Sequence, residues 1–229
     1  MIPVAVYVVI GYGAVFVMSI VLHEVAHGFV AYRCGDPTAK LAGRLTLNPV
    51  RHVDLFYSLL MPVLCVLAGL PMFGGAKPVP VSPFYFRHFV RDERLVSAAG
   101  VVTNLVIAWA LGMLLHLLFW LKVITPDSPH TIILGMGVIS NLVLFVFNLT
   151  PIPPLDGSRI LRSFLPGTVR AAFDRMDRFG LFLVLFVVMF VPGFDRLLFS
   201  AIQFLWEVLL RQKEDLFWQV LDGFRHALK

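Results

Sequence analysis

The stretch His23-Glu24-Val25-Ala26-His27 places three ionisable side chains inside an apolar run that extends from about residue 4 to residue 30. On a helix, residues i and i+4 lie on the same face, so His23 and His27 can offer two imidazole nitrogens to one metal ion. Glu24 lies at the edge of that face, where it can reach a metal-bound water without being a ligand. The alternative is that the histidines are core residues and that Glu24 is a capping or paired carboxylate.

The composition around this stretch is that of an integral membrane protein. Of the 229 residues, 59% are hydrophobic and 14% are charged, and the mean hydropathy is +0.84. Soluble domains contain about half apolar and about a quarter charged residues. Three ionisable groups in apolar surroundings favour the metal site, because their burial is costly without a metal or a partner. We expect one membrane domain over residues 1–229, whose first apolar run stays in the mature protein.

The apolar runs predict an all-α, polytopic membrane fold, since runs near 20 residues indicate helices and not the shorter alternating strands of a barrel. They lie at about 4–32, 55–73, 95–121, 131–149 and 179–210, and Pro192-Gly193 interrupts the last. Short membrane-associated β-strands are expected at 45–47, where polarity alternates, and at 76–81, where prolines restrict the strand to an edge. The domain then consists of a core at about 4–165 and a C-terminal helical region at about 170–229.

A proline-broken segment follows the fourth run, with the sequence Asn148-Leu149-Thr150-Pro151-Ile152-Pro153-Pro154-Leu155-Asp156-Gly157. Exposed backbone of this kind is tolerated at membrane depth only where protein or a cavity covers it. A catalytic zinc uses three protein ligands and keeps one position for water. Asp156 is therefore a natural third ligand beside His23 and His27.

The other polar residues indicate topology and packing. The formal net charge of +5 comes from loops between the apolar runs, and no basic stretch interleaves with aromatic residues, so nucleic acid binding is not expected. Cys34 and Cys65 lack a C-x-x-C spacing and are expected to be buried, inert thiols. Asn104 and Asn141 lie within the third and fourth runs, where they can bridge helices; any further role stays open.

These motifs resemble the site-2 protease family of intramembrane zinc metalloproteases, peptidase family M50. The resemblance rests on the 23–27 stretch, on residues 148–157, which match the family's N-x-x-P-x-x-P-x-D-G, and on Ala99-Gly100 with Asn104. It covers about residues 10–165, and the stretches 35–49 and 76–81 look most like the short bacterial-type members. Val101 replaces the proline of the family's A-G-P-x-x-N pattern, and no sequence resembling a PDZ or CBS module is found.

The resemblance implies a set of roles. One zinc ion per chain would be bound by His23, His27 and Asp156, with Glu24 as general base and Asn148 as stabiliser of the transition state. His52 also matches a family position, but the resemblance gives it no definite role. The implied substrates are transmembrane proteins in a lipid bilayer, cleaved within or near their membrane spans, whereas their identity and the oligomeric state are not given by the sequence.

The topology follows from requiring that the ligands meet. If the first four runs all spanned the membrane, His27 and Asp156 would emerge on opposite sides. The run at 55–73, which contains Pro62 and Pro71, is therefore predicted to be re-entrant, which leaves a three-helix catalytic core. This arrangement places the basic residues between 33 and 94 and between 159 and 178 on one face, against Lys122 on the other. The positive-inside rule then predicts that the active site lies nearer the cytosol. The resemblance to short bacterial-type members implies that the membrane is a bacterial or archaeal cell membrane.

A membrane metal-ion or proton transporter is the alternative function, because buried His, Glu and Asp side chains also mark ion pathways. Transporters usually show a repeat with paired broken helices, and the sequence shows none. A catalytically inactive relative is disfavoured because all three candidate ligands and Glu24 are present.

Overall fold

Helices make up the regular structure of the protein in a computed structural model that describes residues 3–54, 77–211 and 214–228. They are α1 (Val4–Arg33), α2 (Thr38–Leu41), α3 (Phe89–Trp120), α4 (Pro129–Leu149), α5 (Asp156–Arg162), α6 (Gly167–Met176), α7 (Gly180–Phe190), α8 (Phe194–Leu210) and α9 (Glu214–Ala227). Single 3-10 turns occur at Pro49–His52, Pro83–Tyr85 and Asp177–Phe179.

Three of these helices, α1, α3 and α4, are long and apolar enough to cross a membrane, and they correspond to the three predicted spans. Helix α3 begins before the apolar run because the buried carboxylate of Asp92 accepts a hydrogen bond from the backbone N–H of His88 (2.8 Å). Helix α4 begins at Pro129, and the Ser128 side chain accepts from the N–H of Thr131 as its N-cap. The prediction of a re-entrant segment at 55–73 falls outside the described residues.

The predicted short β-strands are wrong for the residues that the structure describes. Residues 45 and 46 form a bend, and residues 47 and 77–81 are irregular. The physical reason is that Pro78 and Pro80 have no N–H, while two of the other backbone groups of this segment bind side chains. The carbonyl of Lys77 accepts from Arg44, and the N–H of Val79 donates to Glu24, so neither group is left for a strand ladder.

The chain forms two compact units. The first comprises residues 1–19 and 101–229, and its core lies where α4 packs against α8 and α9. Leu142, Trp206 and Phe217 are buried in this core. Asn104 and Asn141 do bridge helices here: the Asn104 amide donates to Asn141 (3.0 Å), whose own amide donates to the Ser19 hydroxyl (2.8 Å).

The carboxyl-terminal part of this first unit contains the interruption expected at Pro192-Gly193. Helices α7 and α8 meet at an angle of 90° across it. Gly193 has a φ of 82°, a left-handed conformation that a side chain would strain. The pair is therefore not one straight span.

The second unit comprises Ile20–Gly100 and contains the 23–27 stretch. Ala31, Cys34 and Val96 form a small apolar cluster beneath its loops. The fully buried carboxylate of Asp36 accepts hydrogen bonds from the N–H groups of Thr38 (2.9 Å) and Ser82 (2.7 Å). This carboxylate therefore holds the start of the loop after α1 to the segment that follows residue 77.

Candidate metal centre

The two histidines of α1 turn their imidazole rings toward each other, one helical turn apart. Their Nε2 atoms are 3.0 Å apart, and the ring planes are nearly perpendicular, at 84°. Two nitrogens bound to one tetrahedral zinc at about 2.0–2.1 Å would lie about 3.3 Å apart. The pair is therefore close to the spacing that a shared zinc ion requires.

The ring of His27 is oriented by helix α3. Its Nδ1 donates a hydrogen bond to the backbone carbonyl of Val96, at 2.7 Å. In a neutral imidazole this bond places the proton on Nδ1 and leaves the lone pair on Nε2, the atom that faces His23. Outer contacts of this kind fix the tautomer and the direction of metal-binding histidines.

Helix α3 approaches the two rings so closely that only glycine fits at position 100. A Cβ atom on Gly100 would lie 2.3 Å from His27 Nε2 and 2.7 Å from His23 Nε2, where an ordinary contact is 3.4–4 Å. The backbone of α3 at Gly100 therefore forms one wall of the histidine pair.

Glu24 is partly buried and is held by backbone from a distant part of the sequence. Its Oε2 accepts a hydrogen bond from the N–H of Val79 at 2.7 Å. A backbone N–H therefore orients this carboxylate without a metal ion. This is what a general base needs if it is not itself a metal ligand. Its second oxygen, Oε1, is not used in this bond.

Asp156 and Asn148 belong to the first unit. Asp156 is the first residue of α5 and is 8% exposed. The turn into α5 is tight, because a Cβ on Gly157 would lie 2.1 Å from the carbonyl oxygen of Leu149. Asn148 is partly buried in the last turn of α4 and donates one amide N–H to the carbonyl of Leu144 at 3.0 Å. Each is ordered by local backbone contacts.

The donor set fits the predicted ion. Two neutral imidazoles and one carboxylate form a typical catalytic zinc set that leaves a position for water. His23, His27 and Glu24 come together on α1 as the sequence predicts. The groups that orient them were not predicted: the Val79 N–H, the Val96 carbonyl and the bare backbone at Gly100.

Comparisons with known proteins agree with this chemistry. Peptidase family M50 matches residues 123–191, which include Asn148 and Asp156. The chain is 42% identical over 176 residues to YwhC of Bacillus subtilis, a protein named as a zinc metalloprotease, and the alignment covers 75% of this chain and 77% of YwhC.

Two further relatives carry the name Rip2 and are also named as zinc metalloproteases. The protein of Mycolicibacterium smegmatis is 34% identical over 196 residues, covering 82% of this chain and 69% of the relative. That of Mycobacterium tuberculosis is 32% identical over 210 residues, covering 87% and 76%. No solved structure matches the chain significantly. The relatives are covered over most of their length, and the chain belongs to peptidase family M50, the site-2 protease family of metalloproteases.

Proposed function

We propose that the protein is an intramembrane zinc metalloprotease that hydrolyses peptide bonds within or near the transmembrane segments of other membrane proteins. The observation that carries this proposal is the His23–His27 pair, with Glu24 beside it, on a helix apolar enough to span a membrane. One zinc ion per chain would be bound by His23, His27 and Asp156. The whole of residues 1–229 would act as one metalloprotease domain, with its catalytic core at about 4–165.

In the proposed reaction the zinc ion activates the water, and side chains of the protein transfer the proton and stabilise the oxyanion. Zinc, when bound, lowers the pKa of its water molecule to about 7, so that hydroxide forms at neutral pH. Glu24, anchored through Oε2, would take the proton of the attacking water and later give it to the leaving amine. The amide of Asn148 would donate to the oxyanion through an N–H that is not bonded to Leu144, an interaction worth about 3–4 kcal/mol at comparable sites.

The substrate class follows from the helix that carries the site. A transmembrane substrate hides its carbonyls in i to i−4 hydrogen bonds, so it must unwind locally before a carbonyl can be attacked. Substrates with weak helices at the cleavage point should therefore be cleaved fastest. The proposal also predicts that a helix of strong formers placed at the same depth resists cleavage.

The test uses the full chain purified in detergent and then reconstituted in liposomes. We expect about one zinc per wild-type chain and the same amount in Glu24→Gln, whereas His23→Ala and Asp156→Ala should lose it. Wild type should cleave a single-span peptide whose helix contains a Gly-Pro pair, and Glu24→Gln should not. Undiminished zinc in the ligand variants contradicts the site. Zinc flux into the liposomes without cleavage would favour a transporter.

We also propose that the site lies nearer the cytosol, on the evidence of the basic residues between 33 and 94 and between 159 and 178. Single cysteines at Arg87 and Asp127, in a chain without Cys34 and Cys65, test this with an impermeant thiol reagent added outside cells. Only the cysteine at 127 should react. Labelling of the cysteine at 87 from outside would contradict this orientation and would place the site nearer the outer face.

A further inference from the structure

Val79 offers the only backbone N–H between residues 78 and 80, since both of its neighbours are proline. That N–H is the group that donates to Glu24 Oε2. The Val79 side chain is 7% exposed and packs against α1, where a Cβ on Gly28 would lie 2.7 Å from its Cγ1. The absence of a side chain at Gly28 therefore lets the segment approach the helix close enough for the bond to Glu24.

The segment is held in place two residues earlier, at Lys77. The carbonyl of Lys77 accepts from the Arg44 Nη2 at 2.6 Å, and its N–H donates to the carbonyl of His52 at 2.8 Å. His52 is in turn fixed by a hydrogen bond between its Nε2 and the carbonyl of Thr46, at 2.9 Å. Arg44 and His52 are 7% and 2% exposed.

Arg44 is an unusual residue to bury for stability alone. Its Nε is buried without a hydrogen-bond partner, and the described residues offer it no carboxylate ion pair. A guanidinium that is desolvated for one bond to a neutral carbonyl is costly, because burying charge is compensated only by pairing and full hydrogen bonding. Its position is explained if the bond to Lys77 serves the site.

We propose that Arg44 is a positioning residue for the proposed protease: it fixes residues 77–79 so that the Val79 N–H orients the Glu24 carboxylate. The inference rests on the proposed function for its catalytic consequence. Without the bond from Arg44, the segment loses its side-chain anchor at Lys77, and Glu24 recovers the rotamers that the Val79 N–H excludes. Misplacing a catalytic group by about 1 Å can cost about 100-fold in rate.

The experiment compares Arg44→Gln with Arg51→Gln, the same substitution at an exposed arginine of the same loop. Amide hydrogen exchange is read on a peptide that spans Val79, whose proline neighbours have no amides. In Arg44→Gln we expect Val79 to exchange at least tenfold faster, kcat on the Gly-Pro single-span peptide to fall about 100-fold, and KM and zinc content to stay near wild type. Arg51→Gln should match wild type in all four measurements.

Three results would overturn the inference: unchanged exchange at Val79 in Arg44→Gln, an equal loss of kcat in Arg51→Gln, or loss of zinc together with activity. A different result would separate the two proposals. If Arg44→Gln speeds exchange at Val79 but the wild-type protein cleaves no peptide, the proposed function is wrong and the contact between Arg44 and the segment still stands.

A second pair of variants applies if Arg44→Gln does not fold. Val79→Pro removes the N–H, whereas Val79→Ala keeps it and loses a similar part of the side-chain packing. We expect Val79→Ala to turn over at least tenfold faster than Val79→Pro at equal zinc content. Equal rates would overturn the role of the N–H.

Discussion

Replacing Gly100 by alanine tests the histidine pair most directly, because it adds one carbon atom to the wall of the site. That Cβ would lie 2.3 Å from His27 Nε2, 2.6 Å from His23 Cε1 and 2.7 Å from His23 Nε2. An ordinary contact begins at 3.4 Å, so the His27 nitrogen and α3 must separate by about 1.1 Å. Tolerances on zinc–ligand distances are about 0.2 Å.

The His27 ring has little freedom to make this adjustment. Its Nδ1 is bonded to the carbonyl of Val96 on α3, the same helix that carries the new methyl group. Moving the ring away from α3 breaks that bond, and keeping the bond leaves the methyl group against Nε2. Either outcome removes one imidazole from the metal position.

We therefore expect Gly100→Ala to retain less than about a tenth of the wild-type zinc and to cleave at background rate. Alanine is a better helix former than glycine by about 1 kcal/mol, so the helix itself is not weakened. Gly13→Ala is the matched control, since it lies within α1 and its added Cβ would have no described neighbour within 4 Å apart from the local backbone of its own helix. Zinc content is measured by elemental analysis and activity on the Gly-Pro single-span peptide. Full zinc and full turnover in Gly100→Ala would refute the proposed geometry.

Three further predictions concern residues around the site. Asn141→Leu should destabilise the protein by about 1–3 kcal/mol in thermal unfolding, because the Asn104 amide and the Ser19 hydroxyl would each lose a buried hydrogen bond; an unchanged midpoint contradicts this. Asn148→Ala should keep its zinc and lose about 100-fold in kcat, and an effect confined to KM would argue against the oxyanion role. Burial, with a smaller contribution from the neighbouring Asp92 carboxylate, raises the pKa of the Cys34 thiol. Less thiolate is then present at neutral pH, so the iodoacetamide rate at Cys34 should keep rising above about pH 8.5, the usual cysteine pKa, and a plateau below that pH would contradict it.

The helices that follow an uninterrupted apolar run were predicted best from the sequence. Helix α1 ends within one residue of the predicted run, because no proline interrupts it before Arg33. The start of α3 was missed by six residues: its first turns are charged, and the buried Asp92 cap that stabilises them is not an apolar signal. The edge strand predicted at 76–81 was wrong over the described residues 77–81, because the Lys77 carbonyl and the Val79 N–H bind the side chains of Arg44 and Glu24 and not a neighbouring strand.

The approach of the His23 and His27 rings was predictable for a similar reason, since i and i+4 spacing on one helix is local geometry. What orients them is not local: Glu24 is bonded to an N–H that lies 55 residues along the chain, and His27 to a carbonyl 69 residues along. Backbone groups of this kind leave no trace in a side-chain pattern.

Two indirect signals nevertheless point to these contacts, and both can be tested in other sequences. A glycine in the interior of a long helix costs about 1 kcal/mol relative to alanine, so its presence at Gly100 calls for a close neighbour. A residue between two prolines, as Val79 is, holds the only donor of its segment, and that donor must be satisfied if it is buried. In this chain Gly100 and Val79 both follow these signals, whereas Gly13 shows that an interior helix glycine need not have a close neighbour. The side chains at the site and the backbone that positions them are therefore encoded differently. The side chains are encoded by their spacing along α1. The backbone is encoded by single residues, Gly100 and Val79, which are locally unfavourable and are explained only by a distant contact.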